Sequence, residues 1–158
     1  MWSIFKSNDV VNFAVQVEKN GREFYKKLAE NVIDAKAKDL LLFLAEEEAK
    51  HVGDFERILA GLGEYHSPES YPGEYEEYLK ALVENHVFHK GLNFEDLAPQ
   101  MADAGKAIDM ALRFEKDSIL FFNEMKNFVP QGEHEAIDKL IAQEREHIKK
   151  LSQMKKEL

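Results

Sequence analysis

Four stretches of this chain repeat apolar residues at alternating intervals of three and four, and a glutamate breaks each of them. The first stripe is Val11, Ala14, Gly21, Tyr25, Leu28 and Val32, with Glu18 in its gap. The second is Ala37, Leu41, Leu44, Phe55, Ile58 and Leu62, completed by Glu48 and His51. The third is Met101, Ala104, Ile108, Ala111, Phe122, Met125 and Val129, completed by Glu115 and Ser118. The fourth is Ile137, Leu140, Leu151, Met154 and Leu158, completed by Glu144 and His147. This rhythm is that of a helix with one face on a core. Carboxylates therefore occupy slots that the pattern assigns to the interior.

The punctuation predicts how these helices connect. Ser7-Asn8-Asp9 offers N-cap side chains for the first. A brief turn at Asn31-Val32-Ile33-Asp34 separates it from the second, which Gly61-Leu62-Gly63 ends. Pro130-Gln131-Gly132 makes the turn between the third and fourth. Between the pairs lie about 37 residues, too many for a hairpin between neighbouring helices but enough to run the length of a bundle. Pro68, Pro72 and Gly73 mark a loop there, and 75–90 predicts a further helix with Tyr78, Leu82, Val83 and Val87 apolar and Gly91 at its end. The expected fold is all-α: one domain over 1–158, an antiparallel four-helix bundle with a long crossover carrying an extra short helix.

The halves resemble each other. An offset of 97 pairs Glu18-Lys19 with Glu115-Lys116 and Phe24-Tyr25 with Phe121-Phe122. An offset of 96 pairs Leu44, Glu48 and His51 with Leu140, Glu144 and His147. A duplicated helix pair would set six polar residues about a pseudo-twofold axis.

Composition narrows the chemistry. The net charge of −9 gives no basic face for nucleic acid. The absence of cysteine excludes disulfides, iron–sulfur clusters and thiolate metal sites. No run approaches the roughly 18 apolar residues of a membrane helix. Met1-Trp2-Ser3-Ile4-Phe5-Lys6 does not read as a secretory signal, so the expected location is the cytoplasm.

An unpaired buried carboxylate costs several kcal/mol. No lysine or arginine stands on any of the four stripes. Solvated helix glutamates would be the ordinary alternative, but they would not fall on core stripes. Cations resolve the conflict. Two divalent ions would balance four glutamates with both imidazoles neutral, and a carboxylate–imidazole donor set suits iron or manganese and, less specifically, zinc.

A glutamate from each of two helices with Glu-x-x-His from each of the others is the ligand pattern of ferritin-like carboxylate proteins. The sequence resembles their rubrerythrin branch in Glu18 followed by Tyr25, Glu-Glu-Glu-Ala-Lys-His at 46–51, Glu115, and Gln-Glu-Arg-Glu-His at 143–147. The resemblance covers all four main helices. It implies a ferritin-like bundle holding two iron ions cycling between Fe2+ and Fe3+, with manganese or mixed occupancy as the alternative. The ligands would be Glu18, Glu48, His51, Glu115, Glu144 and His147, with Glu48 and Glu144 bridging and Glu18 and Glu115 terminal. Glu47 and Gln143 match positions that orient the opposite histidine. Tyr25 is read as core, with a hydroxyl able to reach a ligand carboxylate.

The implied function is an oxidoreductase that reduces peroxide or dioxygen in oxidative-stress defence, with a ferroxidase or iron-handling role as the alternative. Dimanganese catalase chemistry and an inert structural metal bundle also fit the ligands. With no cysteine for a rubredoxin-like tail, electrons would come from a separate donor such as a rubredoxin-like protein. A homodimer or higher homo-oligomer is expected, with no nucleic-acid or membrane partner. The sequence departs from peroxide-reducing rubrerythrins at Ser118, where they carry a further glutamate. Ser118 and its counterpart Gly21 would leave open volume beside the metals, although Gly21 could equally serve close helix packing. His86 and His89 read as surface or loop histidines, His66 and His134 carry no assignment, and Glu46 and Glu146 read as solvated. Tyr65, Tyr71, Tyr75 and Tyr78 read as packing the crossover onto the bundle, an aromatic partner surface being the alternative.

Overall fold

The computed structural model describes residues 7–63, 74–86, 95–96 and 101–158. The four expected long helices form: α1 (Ser7–Asn31), α2 (Ala35–Gly61), then α4 (Ala104–Met125) and α5 (His134–Glu157), with α3 (Glu74–Asn85) between the pairs. Their ends follow from local chemistry. The Asp34 side chain accepts a hydrogen bond from the Ala37 N–H at 2.8 Å and opens α2. Asp103 does the same for α4 through the Lys106 N–H at 2.9 Å. After α4 the chain tightens into a 3-10 turn at Lys126–Phe128, and Gln131–Glu133 forms another before α5. The Ser7 hydroxyl donates to the Phe128 carbonyl, tying the start of α1 to the end of α4.

Helix α1 packs along α2 and α4 along α5, while α1 meets α4 and α2 meets α5 across the bundle. The buried apolar residues fall into two clusters. One joins the C-terminal half of α1 (Phe24, Leu28) and the N-terminal halves of α2 (Leu41, Leu44) and α4 (Ile108, Phe114) to Leu151 of α5. The other joins the start of α1 (Val10, Ala14), the end of α2 (Phe55, Ile58), the end of α4 (Phe122, Met125) and the start of α5 (Ile137, Leu140). The two hairpins are therefore antiparallel internally, and α2 and α4 run in the same direction. That direction requires the crossover to travel the whole bundle. Leu79 of α3 belongs to one end cluster and Met101 to the other. The architecture is the all-α four-helix bundle that the stripes predict, and among the described residues there is no strand.

The extra helix forms and Leu82 packs on the bundle as expected, but Tyr78 does not. Tyr78 is 43% exposed, whereas Leu79 is fully buried. The described residues on the bundle side are Leu79, Leu82 and His86, with Leu79 in the place expected of Tyr78. Tyr78 is amphipathic, and its ring lies half on the surface. His86 is thus corrected from a surface residue to one only 4% exposed. Tyr65, His66, Pro68, Tyr71, Pro72, Gly73, Val87, His89 and Gly91 lie outside the described residues, as do the side chains of Tyr75 and Val83.

Gly21 resolves as close packing. A Cβ there would lie 2.4 Å from Cζ of Phe114, whose ring is fully buried. The expected open volume on that side is occupied by this ring. Gly21→Ala should gain up to ~1 kcal/mol of helix propensity but lose about 1–3 kcal/mol to overpacking. We expect a lower urea midpoint for Gly21→Ala, and a smaller cost for Phe114→Leu in that background than in the wild type. Additive costs in this double-mutant cycle would count against the contact.

Candidate metal centre

Between the two apolar clusters lies a polar belt. Glu18, Glu48, His51, Glu115 and Glu144 are fully buried and His147 is 2% exposed. The helices place them by register alone: each Glu-x-x-His pair spans one turn, so its two side chains share a face. Short hairpin turns then bring α1 beside α2 and α4 beside α5 with all six at one level.

The geometry is nearly twofold. His51 Nδ1 lies 3.1 Å from Glu18 Oε2, 2.8 Å from Glu144 Oε1 and 3.6 Å from Glu48 Oε2. His147 Nδ1 lies 3.4 Å from Glu115 Oε1, 3.2 Å from Glu144 Oε2 and 3.5 Å from Glu48 Oε1. The imidazoles stack at 5.6 Å with 15° between their planes. Each histidine therefore meets one glutamate of its own hairpin's first helix and both glutamates of the Glu-x-x-His pairs. Two overlapping groups follow: Glu18, Glu48, His51 and Glu144, and Glu48, Glu115, Glu144 and His147, each with ligand atoms within 4.8 Å of one another. Glu48 and Glu144 belong to both.

Side chains alone do not satisfy this belt. Glu18 Oε1, both oxygens of Glu48, Glu115 Oε2 and Glu144 Oε1 have no hydrogen-bond partner. Each such buried acceptor costs about 1–3 kcal/mol. Glu144 Oε1 is near His51 Nδ1 yet off the line of its N–H, as expected when atoms converge on a shared point rather than pair. A cation with ligands at about 2.1 Å in octahedral geometry sets neighbouring donors roughly 3.0 Å apart. The separations around both Nδ1 atoms run from 2.8 to 3.6 Å, most of them a few tenths of an ångström above that value, so small side-chain shifts fit the donor set to a metal in each group.

Outside the belt, the hydrogen bonds differ between the two sides. His51 Nε2 meets Gln143 Oε1 at 2.9 Å. His147 Nε2 is 4.0 Å from Glu47 Oε2, and the other oxygen of Glu47 takes a hydrogen bond from Lys50 at 2.7 Å. The Tyr25 hydroxyl donates to Glu115 Oε1 at 2.5 Å, with its ring edge-on to Phe114. A shallow cavity of about 220 Å³ over His147, bordered by Phe43, Glu47 and Lys150, brings solvent to the outer edge of the belt. Glu46 and Glu146 are exposed.

Sequence reasoning missed His86 as a neighbour of the centre. Its Nε2 lies 3.5 Å from Ser118 Oγ, one turn along α4 from Glu115, and its ring is edge-on to Phe114. The signal that finds it is the one that found the glutamates: a polar residue on an apolar stripe, here Leu79, Leu82 and His86.

A family model described as Rubrerythrin matches residues 9–155. The chain belongs to the rubrerythrin family. A crystal structure from Thermotoga maritima, described as a candidate ferritin-like diiron-carboxylate protein, is similar over 99% of both chains, with 27% identity and a TM-score of 0.63. A hypothetical protein from Pyrococcus furiosus shares the fold over 96% of this chain and 89% of its own, at 22% identity and a TM-score of 0.65. No curated protein matches significantly. Among the described residues no helix is long and apolar enough to cross a membrane.

Without metal, the rubrerythrin-family belt manages its charge with protons. Burial, then the charge of Glu144, pushes Glu48 and Glu115 well above the usual 4.5. Burial also raises Glu18, against interactions with Glu48 and His51 that lower it. Burial would raise Glu144 too, but its interactions with Glu115, His147 and His51 outweigh it and hold Glu144 low. Burial likewise opposes charge on His51, yet Glu144, Glu18 and Glu48 keep it raised above 6.5.

The sign for stability follows. Above about pH 4.5 the native metal-free chain holds more protons on Glu18, Glu48 and Glu115 than the unfolded chain does, so its stability falls as pH rises. The stabilisation from His51 is complete below about pH 6.5 and is lost as pH climbs through its raised value, the same direction. The stabilisation from Glu144 is lost only on the acid side, as pH falls below about 4.5. Calorimetry with chelator should show Tm falling from about pH 5 to about pH 8, and added Co2+ should raise Tm by more as pH increases. A metal-free Tm that rises over this range would contradict the assignment.

Proposed function

We propose that this chain is a diiron-carboxylate oxidoreductase that reduces peroxide or dioxygen in defence against oxidative stress. Glu18, Glu48, His51, Glu115, Glu144 and His147 would hold two iron ions, with Glu48 and Glu144 shared between them. The observation that carries this reading is the convergence of partnerless buried carboxylate oxygens and two Nδ1 atoms on two overlapping groups. Membership of the rubrerythrin family and the likeness to the diiron-carboxylate structure support iron as the metal. When bound, the iron pair supplies the redox chemistry by passing between ferrous and ferric states.

The protein's own part is charge, orientation and dryness. Four glutamates balance two divalent ions, so the loaded belt is neutral in its apolar surroundings. Tyr25 fixes the orientation of the Glu115 carboxylate through a hydrogen bond to Oε1. Gln143 accepts the Nε2 proton of His51, which leaves Nδ1 as the ligand atom. Phe24, Phe55, Phe114 and Phe122 exclude water around the belt. With no cysteine in the chain, the electrons for turnover would come from a separate donor. The near-twofold symmetry of the ligands favours one second reading, a ferroxidase that handles iron as substrate.

Anaerobic loading should give two irons per chain, and peroxide or dioxygen should then oxidise both in stopped-flow mixing. Repeated turnover with a reductant and no net iron release separates the oxidoreductase from the ferroxidase. Glu48→Ala with Glu144→Ala should weaken metal binding by more than about 100-fold, beyond what loss of an outer hydrogen bond achieves. Two metals still held at unchanged affinity by that variant would sink the ligand assignment.

A further inference from the structure

We propose that metal ions enter the belt through the cavity over His147, and that Glu47 and the Nε2 atom of His147 are the first ligands they meet. The inference rests on the reading of the belt as a metal site. It concerns how that site fills, not what it does when full.

The two histidines differ at their outer edges. His51 Nε2 is tied to the Gln143 amide at 2.9 Å. His147 is only 2% exposed, yet its Nε2 makes no hydrogen bond among the described residues. Glu47 Oε2 stands 4.0 Å away, beyond hydrogen-bond reach. That gap suits a cation: with bonds of about 2.1 Å, two ligand atoms on one ion lie up to about 4.2 Å apart. Glu47, His51 and His147 indeed form a further group able to hold a metal, with ligand atoms within 4.8 Å of one another.

This outer group opens to water. Glu47 and His147 border the cavity of about 220 Å³, together with Phe43, Ala142 and Lys150. The Glu47 side chain is 16% exposed, so water screens its charge less than it would at the surface. Lys50 holds Oε1 of Glu47 at 2.7 Å, but the lysine side chain is 70% exposed, and so exposed a bridge yields readily to a divalent ion.

The step inward is short. Nδ1 of the same imidazole lies 3.2 Å from Glu144 Oε2 and 3.4 Å from Glu115 Oε1. His147 thus spans mouth and belt, with one ring nitrogen in each. Other approaches are poorer. The apolar clusters cover both ends of the belt. A broader groove of about 540 Å³ between α2 and α5 passes Asp54 and Glu133, but it reaches only the neutral amide of Gln143 and no belt residue.

The test uses the full metal-free chain and Co2+, which leaves redox chemistry out. Stopped-flow absorbance of bound cobalt reads uptake. Release is read by mixing the loaded chain with chelator, at concentrations where the rate has levelled off. Glu47→Gln keeps the shape of the side chain and removes its charge. It should still bind two Co2+ with wild-type affinity, yet fill and empty at least about tenfold more slowly, because an entry route sets both rates and not their ratio. Uptake by the wild type should also fall more steeply with added salt than uptake by the variant. Ala142→Phe narrows the cavity from an exposed position without touching a ligand, and should slow both rates alike. A Glu47 that merely orients His147 in the loaded centre predicts something else: affinity about 10–100-fold weaker through faster release, with uptake unchanged. That result overturns the entry route, as do wild-type rates in both variants, and either leaves the metal site standing. A wild-type chain that takes up no Co2+ overturns the metal-site reading and the entry route with it.

Discussion

Everything in this bundle answers to one electrostatic conflict: four carboxyl groups stand in an apolar interior and, among the described residues, pair with no arginine or lysine. Ion pairs do not resolve it, because among the described residues the groups of opposite charge available to the four glutamates are two histidines. Two states of the belt can be neutral. In one, protons sit on most of the carboxyls and on His51, leaving Glu144 as its charge partner. In the other, two divalent cations replace those protons. Both need the same inward aim of the side chains, so one backbone serves both.

The rest of the core is arranged around that belt. The apolar clusters above and below it are rich in phenylalanine, and aromatic contacts such as Phe55 with Phe122 at 4.9 Å close the interior to water. That dryness makes unpaired oxygens costly and makes a cation worth more than it would be at the surface. Gly21 belongs to the same design, since its missing side chain lets Phe114 sit between α1 and α4. The twofold likeness of the halves extends from the ligands to Phe24-Tyr25 and Phe121-Phe122, but not to every neighbour. Tyr25 has a hydroxyl where Phe122 has none, and Gln143 is matched by Glu47.

The long helices and the six belt residues could be read from sequence because they obey strict periodicity, and a polar residue on an apolar stripe is visible without coordinates. The hairpin turns were readable for a similar reason: Asp34 and the Pro130-Gln131-Gly132 run are local signals. The crossover was harder. Its helix has a short amphipathic pattern in which Tyr78 competes with Leu79 for the buried face, and twelve residues give the rhythm little room to correct itself. His86 was misjudged for that reason, since a phase error of one residue turns a buried position outward. What Gly21 accommodates depends on which ring approaches it from α4, and no local pattern carries that.

The division of the belt between the two hairpins has a consequence for how the molecule assembles. Glu18, Glu48 and His51 come from α1 and α2, and Glu115, Glu144 and His147 from α4 and α5. Each hairpin closes through a short turn, so its contacts are local in sequence. Neither hairpin owns a complete four-donor group, because each group borrows a glutamate from the other. The centre therefore comes into being only when the hairpins dock, after the crossover has carried the chain back along the bundle. A cation held there would act as a latch between the hairpins, holding together two units that the sequence joins only by a long strap.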